Sequence, residues 1–244
     1  MRTSLTFRSV IFHTKLLPEN LDDPIPIFEE SNKKNVESVK TPPEAWIVRW
    51  LLSYGEPRNL LLSHLSPAEP PCVFAEVKEP VVQNPQKKPG DIDILFYPTG
   101  LPQQSTAVEC KRVKVTAHGE DKDTVNKIEN IGIGVKQANG LAEMGFYRCF
   151  LAVIVVVDGR ERREYNVLSR SMSDPTFQRI YEFPLREDLH PDVGIVFVEI
   201  IQPTGRWIGE MAQVGVSVDL QAEHREQSLS LTSRIIDISP RNKA

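Results

Sequence analysis

The sequence predicts an α/β protein whose mixed central sheet is flanked by helices, and three features predict it. Residues 91–97 and 106–115 alternate apolar with polar side chains across a short loop, as antiparallel strands do. Residues 149–157 are apolar on both faces, the pattern of a central strand covered on each side. A helix-spaced apolar set precedes the strands, and a second helical stretch separates them from 149–157. The expected order is helix, three-strand meander, helix, strand, then C-terminal additions.

Residues 1–40 carry little pattern. Leu5, Phe7, Val10 and Ile11 suit a short strand, and 17–40 is polar, proline-containing and loop-like. Thr41-Pro42-Pro43-Glu44 has the T-x-x-E form of a capping box, with proline in the first turn. Trp46, Ile47, Trp50 and Leu51 follow at helical spacing, and Gly55 supplies a stop. After the prolines of 67–71, residues 73–82 read as a strand, and Pro89-Gly90 as a turn into 91–97, with Ile92, Ile94 and Phe96 on one face. The polar stretch from Glu120 leads into a helix ending near Met144, weakened by Gly132, Gly134 and Gly140. Beyond it, 160–163 is a charged turn, a short helix follows Asp174-Pro175, 194–201 is an apolar strand, and 214–220 alternates as an edge strand or hairpin partner.

With 244 residues, 40% hydrophobic and 25% charged, the chain can bury a substantial core. One domain is the economical division. It has an extension over 1–40, a core over 41–157, and strands and a helix over 158–244 that complete or decorate it. The net charge of −4 argues against coating nucleic acid by bulk electrostatics, yet leaves an enzyme on DNA open, because a metal-binding acidic site lowers net charge. Cys72, Cys110 and Cys149 are widely spaced and odd in number, so they read as reduced thiols. No secretory leader pattern is present, and the longest apolar run is too short to span a bilayer. A protein that is cytoplasmic or nucleoid-associated and membrane-free is expected. The histidines lack metal-ligand spacing, and no nucleophile elbow or phosphate-cradling glycine loop occurs.

The chemistry concentrates on two strands. Asp91 and Asp93 are two apart, so their carboxylates share a face. Glu109 and Lys111 repeat the geometry on the next strand, with Val108 and Cys110 facing away. Paired strands would gather two or three carboxylates and an ammonium on one face. Close carboxylates repel unless a cation sits between them, and Mg²⁺ suits carboxylate oxygens and waters completed by a phosphate. The Cys110 carbonyl is a further candidate ligand.

Pro89-Gly90-Asp91-Ile92-Asp93-Ile94-Leu95, with Val108-Glu109-Cys110-Lys111-Arg112 downstream, resembles the PD-(D/E)XK nuclease superfamily, closest to its restriction-endonuclease-like and Holliday-junction-resolvase-like branches. The resemblance covers roughly residues 41–157. It implies a restriction-endonuclease-like core and a Mg²⁺- or Mn²⁺-dependent nuclease acting on nucleic acid, DNA before RNA, with a homodimer where both strands are cut. Asp93 matches the metal-binding aspartate, Asp91 being the alternative, while Glu109 matches the second acidic ligand and Lys111 the lysine. Glu44 holds the place of a first-helix glutamate, although a capping box also explains it. Gln137 matches a glutamine that several branches place after the lysine strand. Position 141 is leucine where one branch has tyrosine, which puts a recombination-type exonuclease in doubt. Two rival readings are a catalytically silent nuclease-fold module binding nucleic acid or a partner protein, and a structural component of a larger complex.

Overall fold

Valine- and isoleucine-rich segments assemble into one eight-stranded sheet in the computed structural model, which describes residues 8–13, 43–66, 71–83, 90–118, 122–158, 172–183, 186–202 and 211–238. The strands are β1 (Arg8–His13), β2 (Pro71–Val77), β3 (Ile92–Pro98), β4 (Thr106–His118), β5 (Lys122–Asn126), β6 (Arg148–Asp158), β7 (Val193–Gln202) and β8 (Met211–Leu220). Their order is β1-β8-β7-β6-β4-β3-β2, and β5 pairs with β4 off that path. The meander β2-β3-β4 is antiparallel, β4, β6 and β7 run parallel, and β8 is antiparallel to β7 and β1. The sheet is therefore mixed and open.

Helices cover both faces. α1 (Glu44–Ser53) and α2 (Gly55–Leu65) bury Ile47, Val48, Trp50, Leu51, Leu61 and Leu65 on one face. α3 (Asn130–Met144), α4 (Asp174–Glu182) and α5 (Leu229–Asp237) bury Ile131, Val135, Leu141, Ile180, Leu231 and Ile235 on the other. Strand β6 serves both cores. Phe150, Ala152, Ile154 and Val156 face α1 and α2, while Leu151, Val153, Val155 and Val157 face α3. That two-sided burial is why 149–157 lacks alternation. Each of its larger side chains contributes about 1.5–3 kcal/mol by leaving water. No helix among the described residues is long and apolar enough to cross a membrane.

Several expectations are corrected. The first helix does end just before Gly55, but a second helix follows at once. Tyr54 separates the two with extended backbone, and Gly55 opens α2, whose Pro57 occupies the first turn. Trp46 is 45% exposed, and Val48 takes its expected place in the core. The capping box does not form around Glu44: Pro43 is the N-cap residue, so Glu44 is the first helical residue and its carboxylate points elsewhere. Thr41 lies outside the described residues, as do 14–42, 67–70, Pro89 and the charged turn 160–163.

Strand β2 stops at Val77 instead of reaching Val82, because the amides of Val81 and Val82 turn back to the Lys78 carbonyl. The polar segment after Glu120 contains β5 before the helix begins. Three glycines do not interrupt α3, which ends at Gly145 with φ +84°, a left-handed cap that glycine adopts without steric cost. Ile94 and Phe96 share a core as expected, but Ile92 packs in the α3-side core with Val77. These two residues flank the point where Glu76 takes a left-handed φ of +52° opposite Asp93.

Candidate active site

The site lies where β3 and β4 part. Their ladder covers Phe96↔Thr106, Leu95↔Ala107 and Ile94↔Val108, and β5 takes up β4 only from Lys114 onward. Between these, over 109–113, one edge of β4 has no strand partner among the described residues, while its other edge stays paired to β6. Buried strand amides left unpaired would cost about 1–3 kcal/mol each. Two carboxylates satisfy them. Asp93 Oδ2 accepts the Cys110 N–H at 2.6 Å, and Glu44 Oε2 accepts the Arg112 N–H at 2.7 Å.

The same gap gathers the charged side chains. Asp93 sits one step beyond the last β3–β4 pair, across from Glu109. Glu109 and Lys111 alternate with Val108 and Cys110, which are buried against α1 and α2, so the two charged residues face α3. Glu109 is 1% exposed and Lys111 8% exposed. The Lys111 Nζ donates to Glu109 Oε1 at 2.6 Å, to the Cys110 carbonyl at 2.8 Å and to Glu44 Oε1 at 3.2 Å. An ammonium has three donors, so all three are engaged.

Burial sets the electrostatics. It pushes the Glu109 carboxyl up to about 8, with the charge of Asp93 adding and Lys111 opposing. It pushes Asp93 up to about 6, against the pull of the Cys110 amide and of Lys111. For Lys111 burial acts downward, but Glu109, Glu44 and Asp93 together outweigh it and hold the ammonium above its ordinary value. The site has carboxyls that resist ionisation around an amine that stays charged. The two buried thiols are out of play. Burial raises Cys110 well above its ordinary value and Cys149 to about 12.

Helix α3 presses on the site through Gly134. A Cβ there would lie 2.4 Å from Lys111 Cγ and 2.9 Å from Leu151 Cδ1. The glycine that weakens the helical pattern in the sequence is the one that leaves room for the lysine stem. On the far side of Asp93, the side chain of Glu76 is held by Arg49 Nη2 at 2.6 Å. A non-glycine residue in this conformation stores about 1–3 kcal/mol of strain, here directly across from the aspartate.

The structure thus brings Asp93, Glu109, Cys110, Lys111 and Glu44 together. Asp91 stands aside, half-buried, and acts on Asp93 through its charge. Gln137 lies on α3 one turn beyond Gly134, half-buried, with no hydrogen bond to the cluster among the described residues. Sequence reasoning missed Gly134 and Glu76. No signal marked Glu76, whereas a glycine one turn into a helix next to a lysine strand was a visible hint.

Among the described residues no three histidine, cysteine or carboxylate side chains converge as a ready-made cation cage. The donors that do gather are oxygens of Asp93, Glu109, Glu44 and the Cys110 carbonyl, a hard set suited to Mg²⁺ or Mn²⁺ and unsuited to thiophilic metals. Two carboxyls raised by burial are also the groups a cation would relieve. By donor chemistry the residues fit such an ion. Comparison of the chain with protein-family models, with curated proteins and with solved structures gives no match.

Proposed function

We propose that this chain is a divalent-metal-dependent nuclease of the PD-(D/E)XK type, hydrolysing phosphodiester bonds in DNA. The observation that carries the reading is the convergence of Asp93, Glu109 and Lys111 on one sheet face at a gap in β4. Asp93, Glu109 and the Cys110 carbonyl would hold Mg²⁺ or Mn²⁺, and Asp91 is the alternative acidic partner. Such an ion supplies polarisation of the scissile phosphate and a water of lowered pKa. Lys111 would hold a non-bridging phosphate oxygen or the attacking water as a positioned point charge. Glu44, bonded to both the Lys111 ammonium and the Arg112 amide, would fix the direction of that charge. Gln137 would stand at the helix side of the site. An intracellular setting, cytoplasmic or nucleoid-associated, and a homodimer for double-strand cuts belong to the same proposal.

One rival is a silent nuclease-fold module that binds DNA or a partner protein without cutting, and it draws on the Lys111 ammonium occupying Glu109 and the Cys110 carbonyl. The experiment that separates the two is a cleavage assay on plasmid, single-stranded and branched DNA with Mg²⁺, Mn²⁺ or EDTA. Cleavage that EDTA abolishes supports the nuclease. Binding without cleavage of any form, with either metal, transfers the reading to the silent module.

A further inference from the structure

The Lys111 ammonium rests on Glu109 Oε1, the Cys110 carbonyl and Glu44 Oε1. Two of these groups are the ones that would also hold a divalent cation. A buried ammonium and a divalent cation sharing Glu109 and one carbonyl would repel strongly, since the site offers little solvent to screen them. The lysine stem is pinned at Cγ beneath Gly134, so only its outer bonds are free to swing. The contacts also have a direction. The Glu109 side chain is 2% exposed and the Glu44 side chain 29%, so the way out for the ammonium is toward Glu44.

Resting on the nuclease reading, we infer that Lys111 is the resident counter-ion of the metal site. Its ammonium holds the ligand oxygens in the metal-free chain and moves outward, toward an incoming phosphate, when the cation enters. The lysine thereby holds metal affinity down in the absence of substrate. A phosphate in place to receive the displaced ammonium raises that affinity, which links the two bindings reciprocally. Metal capture is then selective for the DNA-bound enzyme.

The test is Mn²⁺ binding without DNA, by calorimetry, for wild type and Lys111→Met. The inference expects Lys111→Met to bind Mn²⁺ roughly tenfold tighter or more, the reverse of what loss of an ordinary site residue would do. Equal or weaker binding by the variant, with wild type binding normally, overturns the inference and leaves the nuclease reading standing. If neither protein binds Mn²⁺, the metal site itself fails and takes the inference with it. Wild type alone gives a second readout that is independent of how the variant folds. In lysine-labelled protein, saturating Mg²⁺ should shift the Lys111 ammonium resonance and speed its hydrogen exchange. An unchanged resonance overturns the inference.

Discussion

The carboxylate of Asp93 accepts the backbone N–H of Cys110 at 2.6 Å, a side chain standing where β4 has no strand partner among the described residues. Asp93 therefore has a structural duty and, on the proposed function, a metal-binding one. Asp93→Asn keeps an acceptor and removes the charge that burial disfavours. Without metal at alkaline pH it should melt at or above wild type, while losing the rise in Tm that Mn²⁺ gives wild type. Asp93→Ala should lose both and cost about 1–3 kcal/mol through the orphaned amide. Thermal unfolding of the three proteins with and without Mn²⁺ decides this. An equal metal-induced rise in all three would place the ion elsewhere.

Acidity should stabilise the metal-free chain. Asp93, raised to about 6, and Glu109, raised to about 8, bind protons more tightly folded than unfolded. Through the window from the ordinary carboxylate range to about 8, the folded state keeps protons that the unfolded state has released. Stability therefore falls as pH rises through it. Lys111, held above its ordinary value, adds stability that is complete at these pH values and fades only in strong alkali. Melting curves in EDTA across the window should show this decline, and Glu109→Gln should flatten it. A wild-type Tm that climbs over the same range would contradict the burial of these carboxyls.

Removing the ammonium should separate cutting from binding. Lys111→Met keeps the aliphatic stem under Gly134 and should lower the cleavage rate by roughly 10² or more, the usual effect of deleting a transition-state charge contact. DNA affinity at fixed salt should fall far less, because it is spread over many phosphate contacts. Paired cleavage and binding measurements test this. A parallel loss of both would make Lys111 a binding residue only.

Two glycines two residues apart, on opposite sides of α3, should behave oppositely when given a methyl group. A Cβ on Gly132 meets nothing within 4 Å, so Gly132→Ala should stabilise α3 by up to about 1 kcal/mol through helix propensity. Gly134→Ala drives its methyl into the Lys111 stem and should cost about 1–3 kcal/mol from overpacking, together with cleavage activity. Urea denaturation and a cleavage assay of both variants check the contrast. Similar behaviour of the pair would mean that α3 stands further from β4.

What the sequence made legible was whatever depends on local alternation. The phase of Glu109 and Lys111 against Val108 and Cys110 follows from strand geometry, as does that of Asp93 against Ile94 and Phe96, while the alternation of β3 breaks at Ile92. Long-range contacts were not legible. Glu44 has the local form of a capping residue, and only the arrival of β4 at the start of α1 turns its carboxylate to Lys111. Helix α2 leaves a fainter trace: Leu61, Leu62 and Leu65 carry helical spacing, but Gly55 and Pro57 at its start read as a break. Strand β5 carries no strand pattern because its residues are mostly polar; it holds its place by pairing with β4, by Val125 against the core and by Asp123 accepting the Ser173 N–H. Residues 229–237 carry a similarly short signal, Leu231 and Ile235 at helical spacing with Ser228 as the cap.

The gap in β4 gives the protein two built-in reporters. The amides of Cys110 and Arg112 are held by the carboxylates of Asp93 and Glu44 respectively. Their exchange with deuterated solvent therefore tracks the carboxylates directly. If Asp93 turns from the amide to take up a ligand, the Cys110 amide loses its acceptor while the rest of β4 stays locked to β6. Events at the chemistry would then be read on the backbone, two protons at a time, without touching a side chain.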